Sequence, residues 1–167
     1  MDHSPESKEI TSRYEKLLVT LATHGVDFAV VGGLAVIFNG YPRLTLDADI
    51  LVNDAPENLR RLLDCLTRWG EGWARELNPE DFVAQEGSIR VQEEFDLDIF
   101  TRMCGKTLAD FRPRLRHLDI GDARIDYLAP ADLIFLKQNS WRDKDKLDVA
   151  ALREIIAHET QPPGKTS

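Results

Sequence analysis

Residues 30–52 read VVGGLAVIFNGYPRLTLDADILV, and the architecture of the chain turns on how this stretch is divided. Asp27 to Val31 is a short apolar run rich in β-branched residues, the pattern of a buried strand. Gly32-Gly33 breaks it, and Leu34 to Asn39 reads as a short buried helix stopped by Gly40. Leu46 to Val52 then alternates strictly. Asp47, Asp49 and Leu51 fall on one face, and Ala48, Ile50 and Val52 on the other, which is a second strand.

Two carboxylates two apart on a strand project from the same face, about 6–7 Å apart along it. Their strand neighbours are apolar, so the acids sit in the middle of a mostly buried element. Buried carboxylates side by side repel and lose hydration, so a cation has to compensate them. A lysine or arginine does this partly; a divalent ion with oxygen ligands does it more fully. Further along, Phe95 to Phe100 repeats the arrangement, with Asp96 and Asp98 on one face and Phe95, Leu97 and Ile99 on the other. If the two strands are neighbours, three or four carboxylates converge. A lone Asp-x-Asp is more often a solvated strand face paired with Arg43, Arg90 or Arg102; two such pairs on two apolar strands point to chemistry.

Working outward, Ile10, Tyr14, Leu17, Leu18 and Leu21 predict an amphipathic helix over residues 6–23, ended by Gly25. Asp54-Ala-Pro-Glu57 resembles a capping box, followed by a helical stripe of Leu59, Leu62, Leu63 and Leu66. Phe82 to Val91 reads as a hairpin turning at Glu86-Gly87-Ser88. Residues 101–118 carry no clear period. Arg124 to Leu128 is a last strand, Pro130 opens a helix to about Trp141, and Lys144 to His158 forms another. The expectation is one α/β (α+β) domain over residues 1–160, a mixed central sheet flanked by helices, with a disordered tail over 161–167.

Composition narrows the function. The N-terminus is polar and acidic, unlike a signal peptide, and no apolar run is long enough to span a bilayer. Cys65 and Cys104 are far apart and lack a nearby histidine, which speaks for a reducing cytoplasm and against structural zinc. A net charge of −8 disfavours a long nucleic acid as partner, while leaving tRNA open. A nucleoside triphosphate, which brings its own magnesium, tolerates such a site.

Gly32-Gly33, the thirteen residues that follow, apolar-flanked Asp47-x-Asp49 and a later strand acid at Leu97-Asp98-Ile99 resemble the nucleotidyltransferases of the DNA polymerase β-like superfamily. The block over residues 30–52 looks most like the small prokaryotic branch that includes antibiotic-modifying and toxin-type members. Asp132 to Lys137 and Arg142 to Asp148 continue the likeness more weakly.

The resemblance implies the nucleotidyltransferase fold and a particular chemistry. Gly32 and Gly33 would hold a triphosphate; Asp47 and Asp49 would ligate two Mg2+ ions; Asp98 would complete the site and take the acceptor's proton. Asp96 competes with Asp98 for that third position. Arg43 and Thr45, in the loop entering the second strand, either fix that loop or touch phosphate, with pairing to one of the aspartates as the alternative for Arg43; Lys137, one helical turn from Leu133 and Ile134, either contacts the triphosphate or snorkels to solvent. Asp143, Lys144, Asp145 and Asp148 read as a solvated, salt-bridged helix start. Trp69 and Trp73 read as packing residues, with the shaping of an acceptor cleft as the alternative. The implied reaction moves a nucleoside monophosphate from NTP to a hydroxyl of a small molecule, protein or tRNA. With no separate acceptor-binding domain in view, a homodimer or partner protein would complete the cleft. Two other readings compete: a non-catalytic binding or regulatory partner, for instance in a toxin–antitoxin pair, and a glycosyltransferase using Asp-x-Asp for its metal.

Overall fold

The computed structural model describes residues 5–83 and 86–161, with side chains from residue 13 onward. Helix α1 (Pro5–Thr23) leads through a turn at Gly25, whose φ of 75° is left-handed, into strand β1 (Phe28–Val31). Short helix α2 (Gly32–Phe38) follows directly, and strand β2 (Asp47–Val52) and helix α3 (Pro56–Leu66) come next. Strands β3 (Ser88–Gln92) and β4 (Asp96–Phe100), helix α4 (Leu108–Phe111), strands β5 (Arg116–Ile120) and β6 (Ala123–Tyr127), and helices α5 (Pro130–Lys137) and α6 (Asp143–Glu159) complete the order. The expected tail falls largely on residues 162–167, outside the described residues. Among those described, no helix is long and apolar enough to cross a membrane.

The strands form one mixed sheet in the order β3-β4-β2-β1-β6-β5. β1 runs antiparallel to β2 and parallel to β6, while β2 and β4 are parallel. The central strand β1 is buried along its whole length, as its continuous apolar run requires. Leu18 and Leu21 of α1 and Leu62 and Leu66 of α3 are fully buried in the same core as Ile50 and Leu97. α2, α5 and α6 contact one another and form a second group of helices. Tyr14 locks α1 to the loop entering β2, its hydroxyl donating to the Thr45 carbonyl at 2.8 Å.

Three local expectations are corrected. The hairpin does not turn at Glu86-Gly87-Ser88: Phe82 lies in a 3-10 turn, and β3 pairs antiparallel with β4, so the reversal falls between Gln92 and Asp96. Residues 84–85 of that stretch lie outside the described residues. Asp54 does not cap α3. Pro56 takes the first helical position, where its fixed φ suits it, so the cap position falls on Ala55 and Asp54 is one residue too early. A capping arrangement exists instead at Thr107, whose backbone N–H donates to Asp110 Oδ2 at 2.8 Å and opens α4 inside the stretch that showed no period. Finally, α5 ends at Lys137 rather than near Trp141, and β5 supplies an edge strand absent from the sequence reading.

Candidate active site

The parallel register of β2 and β4 sets Asp47 opposite Asp96 and Asp49 opposite Asp98. Because alternate residues share a face, all four carboxylates rise from the same side of the sheet. Asp98 is the most enclosed of them, at 7% exposure. Burial, the Asp98 and Asp47 charges, and a hydrogen bond with Asp98 push the Asp49 carboxyl up to about 7, against a smaller opposing pull from Lys137.

Opposite the acids stands the glycine turn. Gly32 has a φ of 66°, and a Cβ there would run into the Asp49 carboxylate. Glycine is thus required twice over, for backbone conformation and for room. At Gly33 a Cβ would lie 2.5 Å from Arg43 Nη2 and 3.0 Å from Thr45 Oγ1, so the loop before β2 closes directly over the turn. Thr45 Oγ1 donates to the Asp47 carbonyl at 3.0 Å, fixing the entry to the strand.

Arg43 does not pair with the strand aspartates. Its Nε lies 2.8 Å from Oδ1 of Asp148, and its Nη2 donates to Oδ2 at 3.0 Å. Lys137 Nζ reaches the same carboxylate, 3.1 Å from Oδ2, and donates to Asp145 Oδ1 at 2.8 Å. Asp148 is fully buried, which overturns its reading as part of a solvated helix start. Asp145 also accepts from Ser140 at 2.6 Å. Burial works to raise the Asp145 pKa, but the bonds from Lys137 and Ser140 hold it below the usual carboxylate range.

Gly32, Gly33, Arg43, Thr45, Asp47, Asp49, Asp98 and Lys137 all line one cleft of about 360 Å³. Arg90, Arg142 and Asp145 line it too, and of these Arg90 is the closest to the acids. It lies across from Asp98 in the β3–β4 register and holds both Asp98 oxygens, Nε and Nη2 each at 2.9 Å. The sequence reading had Arg90 only as a possible counter-ion. The rival acid Asp96 faces Arg90 Nη1 at 3.3 Å and is not among the residues lining the cleft, which favours Asp98 as the third acid. Trp73 is 56% exposed and lines a separate cleft, so it is not a core residue, whereas Trp69 packs on Phe95 with centroids 5.1 Å apart.

Whether these residues suit a divalent cation is decided by the donor set. Asp47 and Asp49 offer hard oxygens side by side on one face of β2. Asp98 adds a third carboxylate, at present committed to Arg90. Among the described residues no three acidic, imidazole or thiolate side chains already converge to hold a metal ion. The set fits a hard cation, with Asp98 joining once it is freed.

The architecture is that of the nucleotidyltransferase fold. An antigenic nucleotidyltransferase-like protein from Paracoccidioides brasiliensis superposes with a TM-score of 0.56 at 15% identity, covering 91% of this chain and 77% of its own. The lincosamide antibiotic adenylyltransferase LnuA, solved with lincomycin bound, gives 0.55 at 14% identity, covering 89% of this chain and 97% of its own. At such identities the likeness is one of fold. Residues 8–159 match the family described as nucleotidyltransferase of unknown function (DUF6036), and the chain belongs to that family. No curated protein matches its sequence.

Proposed function

We propose that the protein is a metal-dependent nucleotidyltransferase that moves a nucleoside monophosphate from NTP to a hydroxyl acceptor and releases pyrophosphate. The observation that carries this reading is the pairing of Asp49 with Asp98 on adjacent parallel strands, directly opposite a glycine turn that cannot bear a Cβ.

Asp47 and Asp49, joined by Asp98, would hold Mg2+, two ions when the site is fully loaded. Bound there, magnesium supplies charge neutralisation for the α-phosphate and the departing pyrophosphate. The backbone N–H groups of Gly32 and Gly33 approach the triphosphate closely because no side chain intervenes. Lys137 and Arg43, both mostly buried, are cations fixed beside that turn by Asp148 and Asp145, and Arg142 lines the same cleft. Preorganised charge of this kind costs no rearrangement during reaction. Asp98, on the far side of the acids from the glycine turn's own strand, accepts the acceptor's hydroxyl proton as the oxygen attacks the α-phosphorus in line.

The acceptor is a hydroxyl of a small molecule, a protein or a tRNA. LnuA is a lincosamide adenylyltransferase, so small hydroxylated compounds are the first class to test. We place the reaction in the cytoplasm, where triphosphates and magnesium are available, and keep a homodimer or partner protein as the element that completes the acceptor cleft. The Arg90 bond to Asp98 is the observation that favours the alternative of a non-catalytic, partner-binding member, including a toxin–antitoxin component.

The direct test is transfer from α-labelled ATP, GTP, CTP and UTP to a hydroxylated-compound library, protein extract and tRNA, with pyrophosphate release as second readout. Label transfer lost in Asp49→Asn supports the enzyme. Triphosphate binding without transfer or pyrophosphate release under any condition supports the non-catalytic member.

A further inference from the structure

Arg90 is placed by strand register, not by a flexible loop. It projects from β3 across from Asp98, on the face that carries all four strand acids. Beyond the two 2.9 Å bonds to Asp98, its Nη1 lies 3.3 Å from Asp96 Oδ2 and its Nη2 3.8 Å from Asp47 Oδ2. A planar guanidinium suits this task, because its fork engages two carboxylate oxygens at once. Those are also the oxygens through which Asp98 would join a metal. The guanidinium and a divalent cation compete for the same lone pairs, and they repel each other.

A second cleft gives Arg90 somewhere else to go. Its side chain is 47% exposed, and it is shared between the acid cleft and a neighbouring one of about 480 Å³ lined by Trp73, Glu76, Leu77, Val91 and Gln92. That cleft offers a carboxylate, Glu76, and an exposed indole face, Trp73, both suited to a guanidinium. Arg43 has no such freedom: its side chain is 12% exposed and is clamped on buried Asp148.

We propose that Arg90 is a latch on the metal site. In the resting protein its fork occupies Asp98; Asp98 becomes a metal ligand only when Arg90 swings toward the Trp73–Glu76 cleft. This inference rests on reading Asp47, Asp49 and Asp98 as metal ligands, and it adds an order: the cation is bound first by Asp47 and Asp49, and by Asp98 last.

The test is Mn2+ binding without nucleotide, measured by the paramagnetic signal of the free ion, on wild type, Arg90→Gln, Arg90→Lys, Arg90→Gln/Asp98→Asn and Arg90→Gln/Asp47→Asn/Asp49→Asn. Circular dichroism confirms that each is folded. Lysine keeps the charge but loses the fork, so it separates a latch from a simple field effect. The latch predicts that Arg90→Gln tightens Mn2+ about tenfold or more and that Arg90→Lys tightens it measurably as well. The gain disappears in the double variant because it passes through Asp98. Arg90→Lys binding Mn2+ as wild type does, with only Arg90→Gln improved, overturns the latch and leaves an ordinary charge effect. Mn2+ binding in Arg90→Gln that is unaffected by Asp47→Asn/Asp49→Asn overturns the metal reading itself, and the latch with it.

Discussion

The Arg43 guanidinium straddles the fully buried carboxylate of Asp148, with Nε 2.8 Å from Oδ1 and Nη2 3.0 Å from Oδ2, tying the loop that enters β2 to a helix 105 residues later in the chain. Lys137 closes on the same carboxylate from α5. One buried anion thus fixes two cations beside the glycine turn.

Removing that anion leaves buried Arg43 without its carboxylate partner and Lys137 with Asp145 alone. Asp148→Asn is expected to destabilise the protein by about 3 kcal/mol, the usual cost of breaking a buried ion pair from one side. Urea unfolding followed by circular dichroism measures it. A loss below about 0.5 kcal/mol, the range of an ordinary surface change, would show that the cations rearrange freely.

The raised pKa of Asp49 makes stability depend on pH. Its folded value, about 7, lies above the unfolded 3.8, so the folded state holds the proton more tightly between the two. The stabilisation is therefore full below about pH 4 and is lost as pH rises through 7. Asp49→Asn removes the charge without changing the shape. In EDTA it should raise Tm relative to wild type at pH 8, by several degrees, and leave the two proteins close at pH 4.5. An equal Tm difference at both pH values would contradict the assignment.

Gly32→Ala combines a left-handed backbone with a methyl aimed at Asp49. It is expected to cost about 1–3 kcal/mol of stability and to abolish triphosphate binding. Gly33→Ala has no such backbone strain, but its methyl meets Thr45 and the Arg43 guanidinium that Asp148 clamps, so it should weaken binding at a smaller cost in stability than Gly32→Ala. Thermal melts and nucleotide titrations separate the two effects.

The capping arrangements give a simple contrast. Asp110→Ala should lower Tm, since it removes the acceptor for the Thr107 N–H. Asp54→Ala should leave Tm unchanged, because Ala55 occupies the cap position of α3.

Much of the cleft was legible in the sequence because its parts lie on regular strands. Two-residue spacing puts Asp47 with Asp49, and Asp96 with Asp98, on one face of its strand; the β2–β4 register then joins the two pairs, and Gly32-Gly33 marks the turn facing them. Lys137 was legible from its place one turn beyond Leu133. Arg90 and Asp148 were not readable in the same way. The role of Arg90 depends on β3 pairing with β4 in one register, and a misplaced turn at Glu86–Ser88 hid it. Asp148 follows the charged run Asp143 to Lys146, which reads as a solvated face. The clue lay in its spacing from Leu152, one turn on, which puts both on the inward side of α6. β5 escaped because it is an edge strand whose exposed and half-buried residues give no apolar run.

The central claim is tested most directly by calorimetric titration of the four common nucleoside triphosphates, with and without Mg2+, into wild type and Asp47→Asn/Asp49→Asn. The account predicts binding of at least one triphosphate that requires Mg2+ and vanishes in the double variant. No binding by folded wild type, or Mg2+-dependent binding that survives in the double variant, would contradict it.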